Sequence, residues 1–250
     1  MKSEENREIV NDLLGYEGLK IIQRPDMFNF SLDSTLLADF VRIPAKIRTI
    51  MDFGTGNAPI PLFLSLKTHK PIIGVEIQKE AFELAKRSVD LNGLAKQITI
   101  INADINDLHH LFAMSSIDLI TCNPPFFKYR ANAVTNKNDY LTIARHEKLV
   151  DLEGILLQAK RLLSNDGTFF MIHRVDRFDE LILALHSHHL AIKRLRFVYP
   201  KPGKEAISVL IEANASGKTG SLKLMEPLYV YDDLGEYSPE IISIFRYGKK

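Results

Sequence analysis

Leu190–Glu212 reads LAIKRLRFVYPKPGKEAISVLIE, and this stretch decides the fold. Leu190–Tyr199 and Ala206–Glu212 are strand-like, rich in β-branched and aromatic residues. Only Pro200-Lys201-Pro202-Gly203-Lys204-Glu205 joins them. A parallel crossover needs about a dozen residues or more, so these two segments form an antiparallel hairpin. Upstream, short apolar runs alternate with helical stretches. Thr49–Phe53, Ile72–Glu76, Ile98–Asn102, Ile117–Cys122 and Thr168–His173 read as strands. Ile60–Leu66, Glu80–Leu91, Leu152–Leu163 and Asp179–His186 read as helices, with Ala81, Leu84, Ala85 and Leu91 close to helical spacing in the second. Asn165-Asp166-Gly167 is read as the turn that ends the Leu152–Leu163 helix. Such alternation builds right-handed βαβ units and a parallel sheet covered on both faces. The expected architecture is α/β: a doubly wound, seven-stranded sheet, mostly parallel, with an antiparallel terminal hairpin.

The remaining chain is apportioned around that core. Residues 1–45 are read as an N-terminal extension, 46–213 as the core and 214–250 as a C-terminal extension packed on it. Asp33–Phe40 reads as a short helix capped near Asp33 or Ser34. Ser238-Pro239-Glu240 reads as a helix start, with a serine cap and proline in the first turn. A length of 250 residues suits one α/β domain with modest additions. The formal net charge is +1, so any basic binding surface has to be local. The single cysteine, Cys122, excludes an internal disulfide and fits a reducing cytoplasm. The charged opening Met1–Arg7 has no apolar signal core behind it, and no apolar run approaches the roughly 20 residues of a membrane span.

Met51-Asp52-Phe53-Gly54-Thr55-Gly56-Asn57-Ala58 closes one strand and opens a helix. Glycines at such a turn let backbone approach a ligand closely, and free amides at the helix start favour a negative group. Glu76, at the end of the next strand, is placed to accept from ribose hydroxyls. The loop alone fits a dinucleotide, S-adenosyl-L-methionine, or a plain strand-to-helix turn. Asp52, placed to hold an ammonium group directly or through water, favours S-adenosylmethionine. So does the absence of the third pyrophosphate glycine, where Ala58, Pro59 and Ile60 stand. Asp104 ends the third strand and is expected either beside an adenine amino group or as a helix N-cap.

Asn123-Pro124-Pro125-Phe126 follows the fourth strand, at the topological switch point where ligands bind. The prolines stiffen the turn and remove donors, leaving carbonyls and the Asn123 side-chain oxygen as acceptors. An amino group conjugated to an aromatic ring is a poor nucleophile. Acceptors from Asn123 and Pro124 orient it and stabilise the positive charge that develops on methylation. Phe126 offers a stacking face. Asn123 is counted with the cofactor-binding residues as well. The plainer reading is a rigid loop packed by Phe126 and Phe127.

The set Asp52–Gly56, Glu76, Asp104 and Asn123–Phe126 resembles the N6-adenine and related amino methyltransferases of class I, which have a Rossmann-like sheet. It is most similar to the bacterial tRNA1(Val) (adenine(37)-N6)-methyltransferase family. Phe30–Ala38, Ala144–Glu147 and Tyr199–Glu212 add to the resemblance, which spans roughly residues 15–240. It implies S-adenosylmethionine as cofactor and methylation of adenine N6 in tRNA next to the anticodon. Related motifs serve guanine N2 of ribosomal RNA and a glutamine of release factors, although the glutamine enzymes usually carry Tyr in place of Phe126. The loop departs from the common pattern at Asn57-Ala58.

On the substrate side, Phe127–Asn138 is polar and basic without helical period, a substrate flap or a solvated loop. Lys128, Tyr129, Arg130 and Lys137 mix cations with an aromatic ring, as single-stranded RNA recognition requires. Arg145 is expected to reach phosphate or to form a surface ion pair. Lys201 and Lys204 are expected on the rim of the active site, holding RNA phosphates, because the sixth strand runs parallel to the others. His186-Ser187-His188-His189 reads as an exposed helix end and no metal is expected. Cys122 reads as a buried strand residue. Outside the methyltransferases, a nicotinamide-dependent oxidoreductase and a noncatalytic RNA-binding protein stay open.

Overall fold

The structure, a computed structural model, describes residues 8–13, 16–25, 27, 32–124 and 152–247. A hairpin of β1 (Ile9–Leu13) and β2 (Tyr16–Gln23) precedes helix α1 (Leu32–Phe40). Then come β3 (Ile50–Phe53), α2 (Pro59–Ser65), β4 (Ile72–Glu76), α3 (Lys79–Leu91), β5 (Ile98–Asn102), a 3-10 turn at Ile105–His110 and β6 (Ile117–Cys122). After the undescribed stretch follow α4 (Leu152–Leu162), β7 (Leu163–Arg174), a 3-10 turn at Val175–Arg177, α5 (Phe178–Ser187), β8 (Ala191–Tyr199) and β9 (Ser208–Asn214). Two short strands, β10 (Lys223–Leu224) and β11 (Leu228–Tyr229), and helix α6 (Pro239–Phe245) complete the described chain.

The sheet order is β5-β4-β3-β6-β7-β9-β8. Strands β3 to β7 pair in parallel. Strand β9 is antiparallel to both β7 and β8. The expected seven strands and their closing hairpin are therefore present, and β8 points the same way as β7. Strands β10 and β11 lie beyond β8 and bring the described sheet to nine strands. They cover an edge that an open sheet would leave exposed.

The central strands are largely apolar because both faces are covered, with Asp52 and Thr121 as buried polar exceptions. One face packs Leu36, Leu62, Leu64, Ala85, Val89 and Ile241 from the α1, α2, α3 and α6 side. The other packs Leu108, Ile155, Leu156, Leu181 and Leu185 from the Ile105–His110 turn, α4 and α5. Burying such a Leu or Ile stabilises the fold by about 1.5–3 kcal/mol each before entropy is counted. Among the described residues no helix is long and apolar enough to cross a membrane.

Three local expectations change. Helix α1 begins at Leu32, so Asp33 and Ser34 lie inside its first turn and do not stand before it as caps. Asn165-Asp166-Gly167 does not end the preceding helix, which stops at Leu162, and lies within β7. There Ile117 pairs with Leu163 but Leu119 already pairs with Thr168, so the residues between bulge out of register. Gly167 is required at that bulge because a Cβ would come within 2.8 Å of the Ser164 carbonyl. The hairpin β1–β2 was not read from the sequence at all. It docks through Ile22, whose amide donates to Ser88 Oγ at 3.0 Å.

Helix α1 is tied down at its C-terminus by two cations. Lys67 Nζ donates to the carbonyls of Ala38, Asp39 and Val41 at 3.0, 2.6 and 2.6 Å, satisfying groups a helix end leaves orphaned. Arg194 of β8 donates to Phe40 O at 2.5 Å and to Glu212 at 2.7 Å. This anchorage bears on the site, because the first turn of α1 lies at the carboxyl ends of the strands.

Candidate active site

Strand β3 is wholly buried and ends at Phe53, where the backbone must turn sharply into α2. Gly54 and Gly56 adopt φ of +63° and +57°, values that L side chains avoid. Ala58 adopts φ of +73° at the helix start, and Pro59 follows in the first turn. A Cβ on Gly54 or Gly56 would meet nothing within 4 Å, so the loop faces open space. The loop is braced from the neighbouring strand. Thr55 N donates to Val75 O at 2.9 Å, and Gly56 N donates to Glu76 Oε2 at 2.8 Å. The second Glu76 oxygen accepts from Gln78 N at 2.8 Å. Burial pushes the Glu76 carboxyl up, against the lowering effect of the amides of Gln78, Gly56 and Ile77. Each carboxylate oxygen can accept more than one donor, so Glu76 keeps capacity for hydroxyls.

Asn57, whose role the sequence left open, is structural. Its Nδ2 donates to Ile22 O at 2.9 Å and so fastens the loop to the N-terminal hairpin.

Asp52 lies beneath the loop and is 1% exposed. Its two oxygens accept from Thr121 Oγ1 at 2.6 Å and Thr55 Oγ1 at 2.7 Å. Burial pushes its carboxyl up to about 7, opposed by the two threonine hydroxyls and reinforced by the Glu76 charge. The enclosed carboxylate thus holds loop and strand β6 together, and its charge acts through the threonines and not at an exposed surface. No local pattern marks Thr55 and Thr121 as its partners; only the side-by-side register of β3 and β6 brings Asp52 opposite Thr121.

Asp104 accepts from Asn106 N at 2.8 Å and caps the Ile105–His110 turn, the plainer of its two expected roles. The pairing of Glu76 with Asn102 sets Asp104 just past the end of β5, on the same sheet edge as Glu76. Asn102 Nδ2 bonds the carbonyls of Glu76 and Ile77 at 2.8 and 3.0 Å and fixes that corner.

Asn123 and Pro124 follow β6 on this edge. Asn123 Nδ2 donates to Ser34 Oγ at 3.0 Å. Its Oδ1 is buried and has no hydrogen-bond partner among the described residues. A buried amide oxygen without a donor costs about 1–3 kcal/mol, so such an atom points to a ligand that supplies one. Ser34 lies in the Phe30–Ala38 stretch singled out by resemblance, but its contact with Asn123 joins residues far apart in sequence and had no local signal. Asp33, beside it, is raised by burial against the opposing charge of Arg174. Phe126, Lys128, Arg130 and Arg145, with Tyr129 and Lys137, lie outside the described residues.

Lys201 and Lys204 lie at the carboxyl end of β8 and line one cleft of about 670 Å³ with Pro200, Glu205, Tyr231 and Gly235. Cys122 is buried, and burial pushes its thiol well up. His188 pairs with Glu153 at 2.6 Å. Among the described residues no group of three His, Cys, Asp or Glu is arranged to hold a metal.

The sheet order, the glycine turn after β3, the acid at the end of β4 and the Asn-Pro turn after β6 define the class: a class I methyltransferase, which takes its methyl group from S-adenosyl-L-methionine. Residues 45–212 match a family described as "Methyltransferase domain". A tRNA1(Val) (adenine(37)-N6)-methyltransferase of Porphyromonas gingivalis is 32% identical over 198 residues, 78% of this chain and 76% of the relative. An enzyme of the same name from Photobacterium profundum is 26% identical over 219 residues, 86% and 89% of the two chains. Among solved structures, a predicted O-methyltransferase from Agrobacterium tumefaciens superposes with a TM-score of 0.63 at 19% identity, over 85% of this chain and 95% of the other. A geranyl diphosphate methyltransferase solved with S-adenosylmethionine gives 0.55 at 12% identity, over 74% and 84%. Both show the fold. The chain belongs to the family of tRNA1(Val) (adenine(37)-N6)-methyltransferases within the methyltransferase-domain proteins.

Proposed function

We propose that this enzyme methylates the N6 amino group of an adenine in tRNA, next to the anticodon. The observation that carries the reading is the buried, unpartnered Oδ1 of Asn123. The names of the relatives supply the base and the RNA.

The residues present fit the cofactor. Open space lies beyond Gly54 and Gly56, Glu76 can still accept, and Asp104 stands past the next strand. Glu76 would take the ribose hydroxyls, Asp104 would accept from the adenine amino group of the cofactor, and Asp52 would favour its ammonium group through the threonine-held loop. When bound, S-adenosylmethionine supplies a methyl group activated on a sulfonium.

Asn123 and Pro124 do the remaining work. An adenine amino group delocalises its lone pair into the ring. Oδ1 of Asn123 and the Pro124 carbonyl accept its two hydrogens, favour a pyramidal nitrogen and stabilise the positive charge as the N–C bond forms. The nitrogen becomes acidic only then, so its proton leaves to water without a strong base. Ser34 holds the Asn123 amide with Nδ2 turned away, which leaves Oδ1 for the substrate. Phe126 gives the adenine a stacking face once it is splayed out of its neighbours. With tRNA as substrate, the enzyme works in the cytoplasm.

Incubating the protein with labelled S-adenosylmethionine and a valine tRNA transcript, then digesting to nucleosides for mass spectrometry, tests this. N6-methyladenosine is the expected product. N2-methylguanosine, or label only in protein glutamine, refutes it. The cofactor site has its own test. Gly56→Ala places a methyl group in the open space and adds about 1 kcal/mol of left-handed strain. Calorimetry should show the cofactor Kd weakened by about tenfold or more, with melting only slightly lowered. An unchanged Kd would remove the loop from the cofactor site.

A further inference from the structure

The cleft at the end of β8 combines two features that the methyl-transfer reading does not use. Neither the Lys201 nor the Lys204 ammonium has a hydrogen bond or ion pair among the described residues, and both line the cleft. Tyr231, 38% exposed, lines the same cleft. Its ring stacks on Tyr237 with centroids 5.2 Å apart and planes 19° from parallel. Tyr237 in turn rests edge-on against Phe245 of α6 at 5.1 Å.

This platform is rigidly joined to the lysine loop. Tyr231 N donates to Pro200 O at 2.8 Å, and Val230 N donates to Tyr199 O at 2.9 Å. Lys204 N closes the loop on Lys201 O at 3.2 Å. Pro200 and Pro202 restrict the loop further, and Gly203 takes the φ of +74° that the turn needs. The aromatic face and the two cations are therefore held in one frame. Among the described residues Glu205 is the one acid lining the cleft, with Asp232, Asp233 and Glu236 on the loop that carries Tyr231 and Gly235, and the Glu205 carboxylate can accept from a ribose hydroxyl or a base amino group.

Position separates the cleft from the methyl-transfer centre. Cys122, Met171, Ile211 and Leu195 lie level across β6, β7, β9 and β8. Three strand spacings and the three-residue rise from the level of Asn123 to that of Tyr199 put the cleft about 15–20 Å from Asn123, on the same edge of the sheet. A nucleotide there is not the one being methylated.

We infer that this cleft is a second RNA subsite, which holds a flanking, unpaired nucleotide of the substrate: its base on Tyr231, its phosphates on Lys201 and Lys204. Cations beside an aromatic face are what single-stranded RNA requires, whereas a duplex would hide its base faces. The inference rests on the tRNA reading above and adds to it a place that selects a looped-out strand.

Binding of a full-length valine tRNA transcript, titrated over a range of salt concentrations, tests it. Lys201→Gln with Lys204→Gln should flatten the salt slope by about 1.4, at about 0.7 per single-strand phosphate. Tyr231→Leu, which keeps bulk but removes the π face, should weaken binding by about five- to a hundredfold without changing that slope. Tyr231→Phe should behave as the unaltered protein. Calorimetry with S-adenosylmethionine and a thermal melt check each fold, and the surface lysine exchanges keep the test valid if Tyr231→Leu unfolds. An unchanged salt slope overturns the inference, and so does a folded Tyr231→Leu protein that binds as tightly as before. If the unaltered protein binds S-adenosylmethionine but neither binds nor methylates the tRNA, the tRNA reading itself is overturned.

Discussion

Asn123→Ala should lower kcat by about a hundred- to a thousandfold, the usual loss when one preorganised charge-stabilising group is removed. Its cofactor Kd should stay within about twofold and its melting temperature should change little, because relief of the unpartnered Oδ1 offsets loss of the Nδ2 bond to Ser34. Single-turnover methylation of tRNA at saturating cofactor reads the effect. A companion variant separates the oxygen from its support. Ser34→Ala leaves Oδ1 in place but frees the amide to rotate, so kcat should fall by only about three- to tenfold. Ser34→Thr, which keeps the hydroxyl, should recover most of it. If Asn123→Ala turns over normally, the Asn-Pro turn is a packing element and the proposed chemistry fails.

The largest expected loss of stability comes from Arg194. The residue is 8% exposed, and its guanidinium bonds Glu212 and the Phe40 carbonyl and lies 3.8 Å from the Phe40 ring centroid. Arg194→Met keeps the length of the side chain but leaves the part-buried Glu212 carboxylate and a helix-end carbonyl short of donors. Breaking a buried pair in this way costs about 3–5 kcal/mol. The low end applies, because Glu212 retains Arg42 at 2.8 Å. For a chain of this size the melting temperature should drop by about 6–12 °C. Adding Glu212→Leu should recover part of the loss, since the uncompensated charge goes with it. A melting temperature unchanged by Arg194→Met would show that the pair contributes nothing to the anchorage of α1.

Several parts of this molecule were legible because they are local. The strands Ile72–Glu76, Ile98–Asn102 and Ile117–Cys122 stand at the bounds their apolar runs indicate. A link of only eight residues forced the β8–β9 hairpin, two more than the six expected from the sequence, and Ser238 caps α6 through Ile241 N at 3.3 Å as its Ser-Pro-Glu start implies. The bulge at Asn165–Gly167 was misread as a turn, since a turn-forming tripeptide does not reveal whether the neighbouring strand continues to pair across it. The N-terminal hairpin escaped because its short, mostly exposed first strand shows no apolar alternation; it is held by Ser88 and Asn57 from elsewhere in the chain.

The Asn123 turn divides in the same way. The sequence by itself determined the alternation that builds the sheet, the glycine turn, the acid at the end of β4 and the Asn-Pro turn after β6, since periodicity, backbone restriction and residue chemistry are all carried locally. Only the tertiary structure decided that Asp52 is enclosed by Thr55 and Thr121, that Asn57 fastens the hairpin, and that Ser34 turns the Asn123 amide so that its oxygen is left without a donor. The reason is physical. Burial and hydrogen-bond pairing depend on which strands and helices come side by side, and residues 89 positions apart, as Ser34 and Asn123 are, meet only after the sheet has closed.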